Sequence, residues 1–163
     1  MSSTSLRAHS MVELRHVRIS GTGMYVPPRV VTNKDLERLM DTSDEWIRQR
    51  TGIVERHHVD PGMGPADLAA EAATRALEAS GNEATDLDAI LVASLSPHHD
   101  FPGTSVFLQD RLGIVGCPAL DVRAQCTGFL YALQVGNFFI NLVVPSFILI
   151  KVLRSGFHEA LEA

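Results

Sequence analysis

The sequence has few cysteines, few aromatic residues and no long uninterrupted apolar run, and each shortage excludes a class of protein. The two cysteines, Cys117 and Cys126, form no CxxC pair and follow no secretory signal, because residues 1–10 are polar and serine-rich. A disulfide framework is therefore excluded, and reduced thiols in a cytoplasmic protein are expected. Aromatic residues make up only 6% of the chain.

Basic residues are also scarce, and no metal-binding spacing is present. The formal net charge of −5 argues against nucleic acid as a partner, since binding to phosphates requires a basic surface. The adjacent histidines at 57–58 and 98–99 would point to opposite faces of a strand, and no HExxH motif occurs. We therefore expect no metal site and treat these histidines as solvated or loop residues.

The 163 residues suffice for one domain with a sizeable core. Strand-like and helical patterns alternate along the chain, which predicts an α/β fold with a mainly parallel sheet and helices on both faces. We divide the chain into a flexible leader (1–12), the domain itself (13–140) and a divergent C-terminal segment (141–163). The strands are predicted at residues 14–20, 88–94, 119–122 and 147–153.

Helix boundaries follow from capping residues. Thr32 with Asp35, and Thr42 with Glu45, each predict a helix start, and Pro65 begins the most secure helix. Gly21 and Gly23 do not form a dinucleotide-binding loop, because the third glycine is missing and two prolines follow; a tight turn is the simpler interpretation. The predicted helices cover residues 32–40, 42–50, 65–80, 105–112 and 126–140.

Cys126 falls at the junction between a predicted strand and a predicted helix. Backbone N–H groups and the positive end of a helix dipole favour a thiolate at such a position, which is how a cysteine becomes a nucleophile. The alternative is a buried cysteine that packs as a small hydrophobic residue. The local pattern leaves both interpretations open.

Residues 138–153 are strongly apolar but are interrupted by Asn141 and Pro145. The run is shorter than the roughly 18 apolar residues that indicate a membrane span. We interpret it as the end of a helix, a break at Pro145 and a buried strand; a membrane-associated hairpin is the less favoured alternative.

Four stretches resemble the N-terminal half of the β-ketoacyl-acyl carrier protein synthase III family of the thiolase superfamily. They read ISGTGMYVP, TNKDLERLMDTSDEWIRQRTGI followed by ERH, FPGTSVFLQDRLG, and DVRAQCTGFLYAL. The resemblance spans residues 19–133 and is carried chiefly by the DTSDEWI and RTGI segments. It favours the nucleophile interpretation of Cys126.

The resemblance implies an acyltransferase of fatty acid or related biosynthesis that needs no cofactor. Cys126 would take the acyl group of acyl-coenzyme A as a thioester and pass it to a carbanion from malonyl-acyl carrier protein. Trp46, Arg50 and Thr51 would contact coenzyme A, and the family forms homodimers. Leu95 matches an acyl-pocket position, and Phe101 matches one that reaches across the dimer interface; the alternative for Phe101 is a loop anchor.

Two departures from the family bear on activity. Gln125 and Thr127 flank the nucleophile, where small residues are common elsewhere in the family. The family's catalytic histidine and asparagine lie in a second half, and the resemblance fades beyond Gly136, so no role is transferred to His158. We therefore expect the chain by itself to be inactive in condensation. A non-catalytic interaction module, or a decayed gene product, is the alternative.

Overall fold

A computed structural model of the protein describes residues 16–142 and 148–152. The chain forms five strands and five helices within these ranges, with one 3-10 turn at Ala84–Asp86. The strands are β1 (Arg29–Thr32), β2 (Glu55–His58), β3 (Ala89–Ala93), β4 (Ala119–Val122) and β5 (Ile148–Val152). The helices are α1 (Asn33–Glu37), α2 (Asp44–Thr51), α3 (Pro65–Ser80), α4 (Thr104–Arg111) and α5 (Gly128–Leu142).

A parallel sheet of three strands, in the order β4-β3-β5, lies at the centre of the fold. All five residues of the central strand β3 are buried, as its continuous apolar sequence AILVA predicts for a strand covered on both faces. The α/β class with a mainly parallel sheet is thus confirmed. The predicted strand at 147–153 is observed as β5, whereas the break predicted at Pro145 lies outside the described residues.

The two faces of the sheet carry different helices. On one face, Ile90 and Val92 of β3 pack into a closed core with α3 and α4. Successive side chains of a strand point to opposite faces, so Leu91 and Ala93 face the other side. There Gly128, at the start of α5, lies against Ala93. Helices therefore cover both faces, as the sequence predicts.

Helix α3 has the boundaries that its sequence predicts. Pro65 is its first residue, and Gly81 ends it in a left-handed conformation with φ of 71°. Residues 69, 73 and 77, spaced by one helical turn, are buried against the sheet. This helix is the main apolar layer on its face.

A smaller unit precedes the main sheet. Strands β1 and β2 pair antiparallel, with Arg29 opposite His58. Helices α1 and α2 lie between these two strands in the chain. Thr32 is the N-cap of α1, as predicted, and together with Asp35 it forms a capping box. The capping residue of α2 is Ser43, whose hydroxyl accepts a hydrogen bond from Trp46 N; the prediction of Thr42 is therefore wrong by one residue.

The strand predicted at 14–20 is not observed in its described part, since residues 16–27 form no regular element. Gly21 and Gly23 do not serve a tight turn either. A Cβ atom on either glycine would overlap the backbone of α3 at residues 72–80. Their role is the close approach of this segment to α3, and hydrogen atoms in place of side chains permit it.

No helix in the described part of the chain is long and apolar enough to cross a membrane. Helix α5 has 15 residues and is followed by residues whose placement is not described. The hairpin alternative for residues 138–153 therefore gains no support from the helices that are described. The predicted leader at 1–12 lies outside the described residues, as does most of the C-terminal segment.

Candidate functional site

Cys126 lies in the turn between β4 and α5, and its side chain is exposed. Strand β4 ends at Val122, residues 123–127 form what we call the nucleophile turn, and α5 begins at Gly128. The amide of Gly128 donates to the carbonyl of Gln125 at 3.1 Å, which closes the turn. The helix thus starts two residues later than predicted, but Cys126 does lie beside its N-terminus. Exposure of the thiol contradicts the alternative of a buried packing cysteine.

Cys117 supplies the contrast within the same chain. It is half-buried beside the core, and Gln109 Nε2 donates to its carbonyl at 2.7 Å and lies 3.4 Å from its Sγ. Both cysteines are free thiols. Cys117 therefore has the packing role that Cys126 lacks.

The loop between β3 and α4, residues 94–103, lies at the same edge of the sheet as Cys126; we call it the Phe101 loop. Because β3 and β4 are parallel and in register, with Ala93 opposite Val122, their carboxyl ends meet there. Leu95 and Phe101 belong to this loop, and both are exposed. The structure thus brings three predicted site residues, Leu95, Phe101 and Cys126, to one edge.

Phe101 is 91% exposed, and the Phe101–Pro102 peptide bond is cis. A loop anchor would be buried against its own chain, so the anchor alternative is contradicted. An aromatic ring this exposed is apolar surface that nothing in the described chain covers.

A second group of predicted residues lies on α2. Trp46 is 53% exposed, and the Arg50 guanidinium lies 5.4 Å from the centre of its ring, a cation–π contact along one helix face. Thr51 donates to the carbonyl of Ile47 at 2.8 Å and accepts from Ile53 N at 3.1 Å. Core packing is therefore not the role of Trp46, whose ring faces solvent with a cation above it.

The buried Asn33 connects the two ends of α2. Its Nδ2 donates to Asp44 Oδ1 at 2.7 Å and to the carbonyl of Ile53 at 2.8 Å, just beyond the helix. Hydrogen bonds from Asn33 and Arg48 hold the pKa of Asp44 below its usual value. Sequence reasoning missed Asn33, because an asparagine at a helix start signals only a local role.

The two groups belong to different parts of the fold: α2 packs on α1 in the N-terminal unit, whereas Cys126 lies between β4 and α5 of the main sheet. In the described ranges, no three His, Cys, Asp or Glu side chains converge in a way that could hold a metal ion. Two further polar side chains act here: Arg123, the first residue of the nucleophile turn, hydrogen-bonds to the Phe101 loop, and Asp121 of β4 hydrogen-bonds to the start of α4. The sequence carries no signal for these contacts.

Comparisons with known proteins agree with this arrangement. A β-ketoacyl-[acyl-carrier-protein] synthase III of Xylella fastidiosa is 55% identical over 124 residues, which are 76% of this chain and 38% of that protein. The crystal structure of 3-oxoacyl-[acyl-carrier-protein] synthase III from Aquifex aeolicus is similar with a TM-score of 0.75 at 41% identity, covering 81% of this chain and 42% of the other.

The priming β-ketosynthase of a polyketide pathway is similar with a TM-score of 0.74 at 31% identity, covering 82% of this chain and 40% of the other. No protein-family model matches the chain. The chain thus spans about two fifths of the length of the proteins that it resembles. The thiolase-like fold class expected from the sequence is confirmed by these structures.

Proposed function

Because the chain is similar to β-ketoacyl-acyl carrier protein synthase III over about two fifths of that protein's length, we propose that it carries the acyl-accepting part of such an acyltransferase. The observation that carries the proposal is the exposed thiol of Cys126 in the turn before α5. A thiol at this position is open to a thioester substrate and lies beside the N-terminal end of a helix dipole.

In the first step, the Cys126 thiolate attacks the carbonyl carbon of an acyl-coenzyme A. A bond forms between Sγ and this carbon, the bond to the coenzyme A sulfur breaks, and coenzyme A leaves as its thiolate. The backbone N–H of Cys126 is our candidate for one donor to the oxyanion that develops between these events. The product is an acyl thioester on Cys126 and needs no further cofactor.

In the second step, malonyl-acyl carrier protein loses carbon dioxide, and the carbanion attacks the acyl carbon and releases Cys126. By resemblance, the family's groups that stabilise this carbanion lie in its second half, and the match extends over only 38% of such a relative. We therefore expect the 163-residue chain, assayed by itself, to accept an acyl group without condensing it.

Trp46, Arg50 and Thr51 are the proposed coenzyme A contacts. The exposed Trp46 ring offers a face for an adenine base, and the Arg50 guanidinium can pair with a phosphate. Leu95 would line the acyl pocket, and Phe101 would reach toward a second copy of the protein. The high exposure of Phe101 supports a contact outside its own chain.

The test is intact-mass measurement after incubation with acetyl-, butyryl- and octanoyl-coenzyme A. We expect one acyl adduct on the wild type, loss of the adduct in Cys126→Ala, and retention in the matched variant Cys117→Ala. Trp46→Ala should lower the rate with each substrate, because it removes binding that all coenzyme A esters share. Absence of any adduct at Cys126 in the wild type would reject the proposal.

The second candidate is a non-catalytic module that pairs with a full-length relative. It is favoured by the outer surface of α5, where Leu130 and Phe138 are 61% and 51% exposed on a helix that carries no charged residue. Size-exclusion chromatography with light scattering, on the chain alone and mixed with such a relative, distinguishes the two candidates. A monomer that does not change on mixing would reject the module.

A further inference from the structure

The segment that leads from β4 to Cys126 carries two polar side chains that contact the neighbouring Phe101 loop and the start of α4. Asp121 and Arg123 are two residues apart, and side chains at this spacing leave an extended segment on the same side. Val122, between them, lies opposite Ala93, the last residue before the Phe101 loop. The segment that ends in the nucleophile turn is thus placed to contact this loop at more than one point.

The first contact reaches the residue just before Phe101. Arg123 donates from a guanidinium nitrogen to the carbonyl of Asp100 at 3.2 Å. A guanidinium stays charged at every pH of interest, and a charged donor makes a stronger hydrogen bond than a neutral one. This bond crosses from the nucleophile turn to the middle of the Phe101 loop.

The second contact holds the far end of the same loop. The Asp121 carboxylate accepts from the hydroxyl of Ser105 at 3.0 Å and from its amide at 3.3 Å, both in the first turn of α4. A Cβ atom on Gly103, the last loop residue, would overlap the Asp121 carboxylate. Backbone and carboxylate are therefore in close contact where the loop enters the helix.

These contacts matter because Phe101 itself makes little contact with its own chain. Its side chain is 91% exposed, so packing of the ring cannot fix the position of the loop. Hydrogen bonds hold the backbone instead: Arg123 donates to the carbonyl of Asp100, Asp121 accepts from Ser105 N, and Thr104 Oγ1 accepts from His98 N at 2.9 Å. Of these residues, Arg123 and Asp121 belong to the segment that ends at Cys126.

We propose that Arg123 is a positioning residue that couples the Phe101 loop to the nucleophile turn and so controls access of bulky groups to the Cys126 thiol. Asp121 fixes the end of the loop, and Arg123 fixes its middle. The use of this coupling for acyl-chain choice rests on the proposed function. The coupling itself rests only on the contacts described above.

The first experiment measures amide hydrogen exchange by mass spectrometry. Arg123→Met keeps an unbranched apolar side chain and removes the donors, so we expect peptides within residues 94–103 to exchange about three- to tenfold faster. Exchange in β3 and α3 should not change. Arg38→Met, which removes an exposed surface ion pair with Asp35, is the matched control and should leave the loop unchanged.

The second experiment measures the rate of Cys126 alkylation with iodoacetamide and with its bulkier N-benzyl derivative, using peptide mapping to separate Cys126 from Cys117. When the loop is released in Arg123→Met, the rate with the N-benzyl reagent divided by the rate with iodoacetamide should rise about threefold, because the bulkier reagent gains access to the thiol. Arg123→Lys, which can still donate to the Asp100 carbonyl, should restore most of the wild-type ratio.

The outcomes distinguish the coupling of the loop, the control of access to Cys126 and the proposed function. Unchanged exchange in the loop of Arg123→Met would overturn the coupling. Faster exchange with an unchanged alkylation ratio would overturn the control of access to Cys126. Neither measurement uses an acyl-coenzyme A, so failure of the wild type to become acylated would reject the proposed function and leave the coupling standing.

Discussion

The two faces of the parallel sheet are covered in different ways. On one face, α3 and α4 pack on each other and on β3, and their apolar residues are buried in a closed core. On the other face, α5 lies across all three strands and buries only Gly128, Ala132 and Gly136. Five of its large apolar residues are exposed instead, namely Phe129, Leu130, Tyr131, Phe138 and Leu142.

The difference shows that these helices are built for different surroundings. Helix α3 has an apolar stripe and a polar side, as expected for a helix with one face in solvent. Helix α5 has no charged residue, its polar amide side chains are Gln134, Asn137 and Asn141, and a stripe of small residues is buried against the sheet. Large apolar residues exposed next to one another on a helix are normally covered by a partner surface. In a chain that spans two fifths of its relatives' length, α5 keeps an uncovered surface.

The largest expected difference between the two faces is in stability. Leu108 on α4 is fully buried in the core, so Leu108→Ala should lower the free energy of unfolding by about 2–5 kcal/mol. Leu130→Ala on the outer surface of α5 should change it by less than about 0.5 kcal/mol, because no buried contact is lost. Urea unfolding followed by circular dichroism gives both values.

Equal losses in the two variants would show that the outer surface of α5 is covered in solution. The measurement should therefore be repeated at two protein concentrations, since a stability that rises with concentration indicates self-association. An equally large loss of stability in Leu130→Ala that does not depend on protein concentration would contradict the difference between the two faces of the sheet.

The elements that the sequence predicts well are those that depend on local signals. Strand β3 follows from an apolar run, and α3 follows from Pro65 and Gly81 at its ends. Strands β1 and β2 were missed, because RVVT and ERHH have no apolar alternation and pair across more than twenty residues of chain. Their formation is decided by tertiary contacts rather than by propensity.

The candidate site divides in the same way. The position of Cys126 at a strand–helix junction makes it a candidate nucleophile and the family resemblance favours that role, whereas the roles of Trp46 and Arg50 follow from the resemblance, and helical spacing predicts only that the two side chains share one face. The contacts of Asp121 and Arg123 could not be found, because they depend on the register that places Val122 opposite Ala93. Side-chain contacts to a backbone distant in sequence leave no pattern in the sequence.

A second difference between the faces is electrostatic. Asp67 of α3 and Arg111 of α4 form an ion pair at 2.6 Å, whereas α5 has no charged residue. Burial acts to raise the pKa of Asp67, but hydrogen bonds from Arg111 and Gly64 N outweigh it and the pKa is lowered. Asp67→Asn should therefore cost about 1–2 kcal/mol at pH 7.

The pH dependence identifies the group responsible. A carboxyl group whose pKa is lower in the folded state than in the unfolded state stabilises the fold at any pH above its ordinary pKa, which is 3.8 for an aspartate. This contribution is lost as the pH falls below 3.8 and through the lower pKa of the folded state. Wild type and Asp67→Asn should thus converge in stability in acid. Burial also lowers the pKa of His98, so this residue causes its own loss of stability as the pH falls below 6.5. The comparison should therefore be made between His98→Gln and the double variant with Asp67→Asn. A constant gap between them down to pH 3 would contradict the assignment.

The smallest expected effect compares a glycine on each face. Gly81 ends α3 with a φ of 71°, where a side chain is strained, so Gly81→Ala should cost about 1 kcal/mol. Gly128 begins α5, and an added Cβ would meet Ala93 Cβ at 3.5 Å, an ordinary contact. Gly128→Ala should therefore change the free energy of unfolding by less than about 0.5 kcal/mol, since helix propensity favours alanine. A loss of stability in Gly128→Ala as large as that in Gly81→Ala would mean that α5 leaves no room for a Cβ atom at this position. That result would contradict the conclusion that α5 packs less tightly on its face of the sheet.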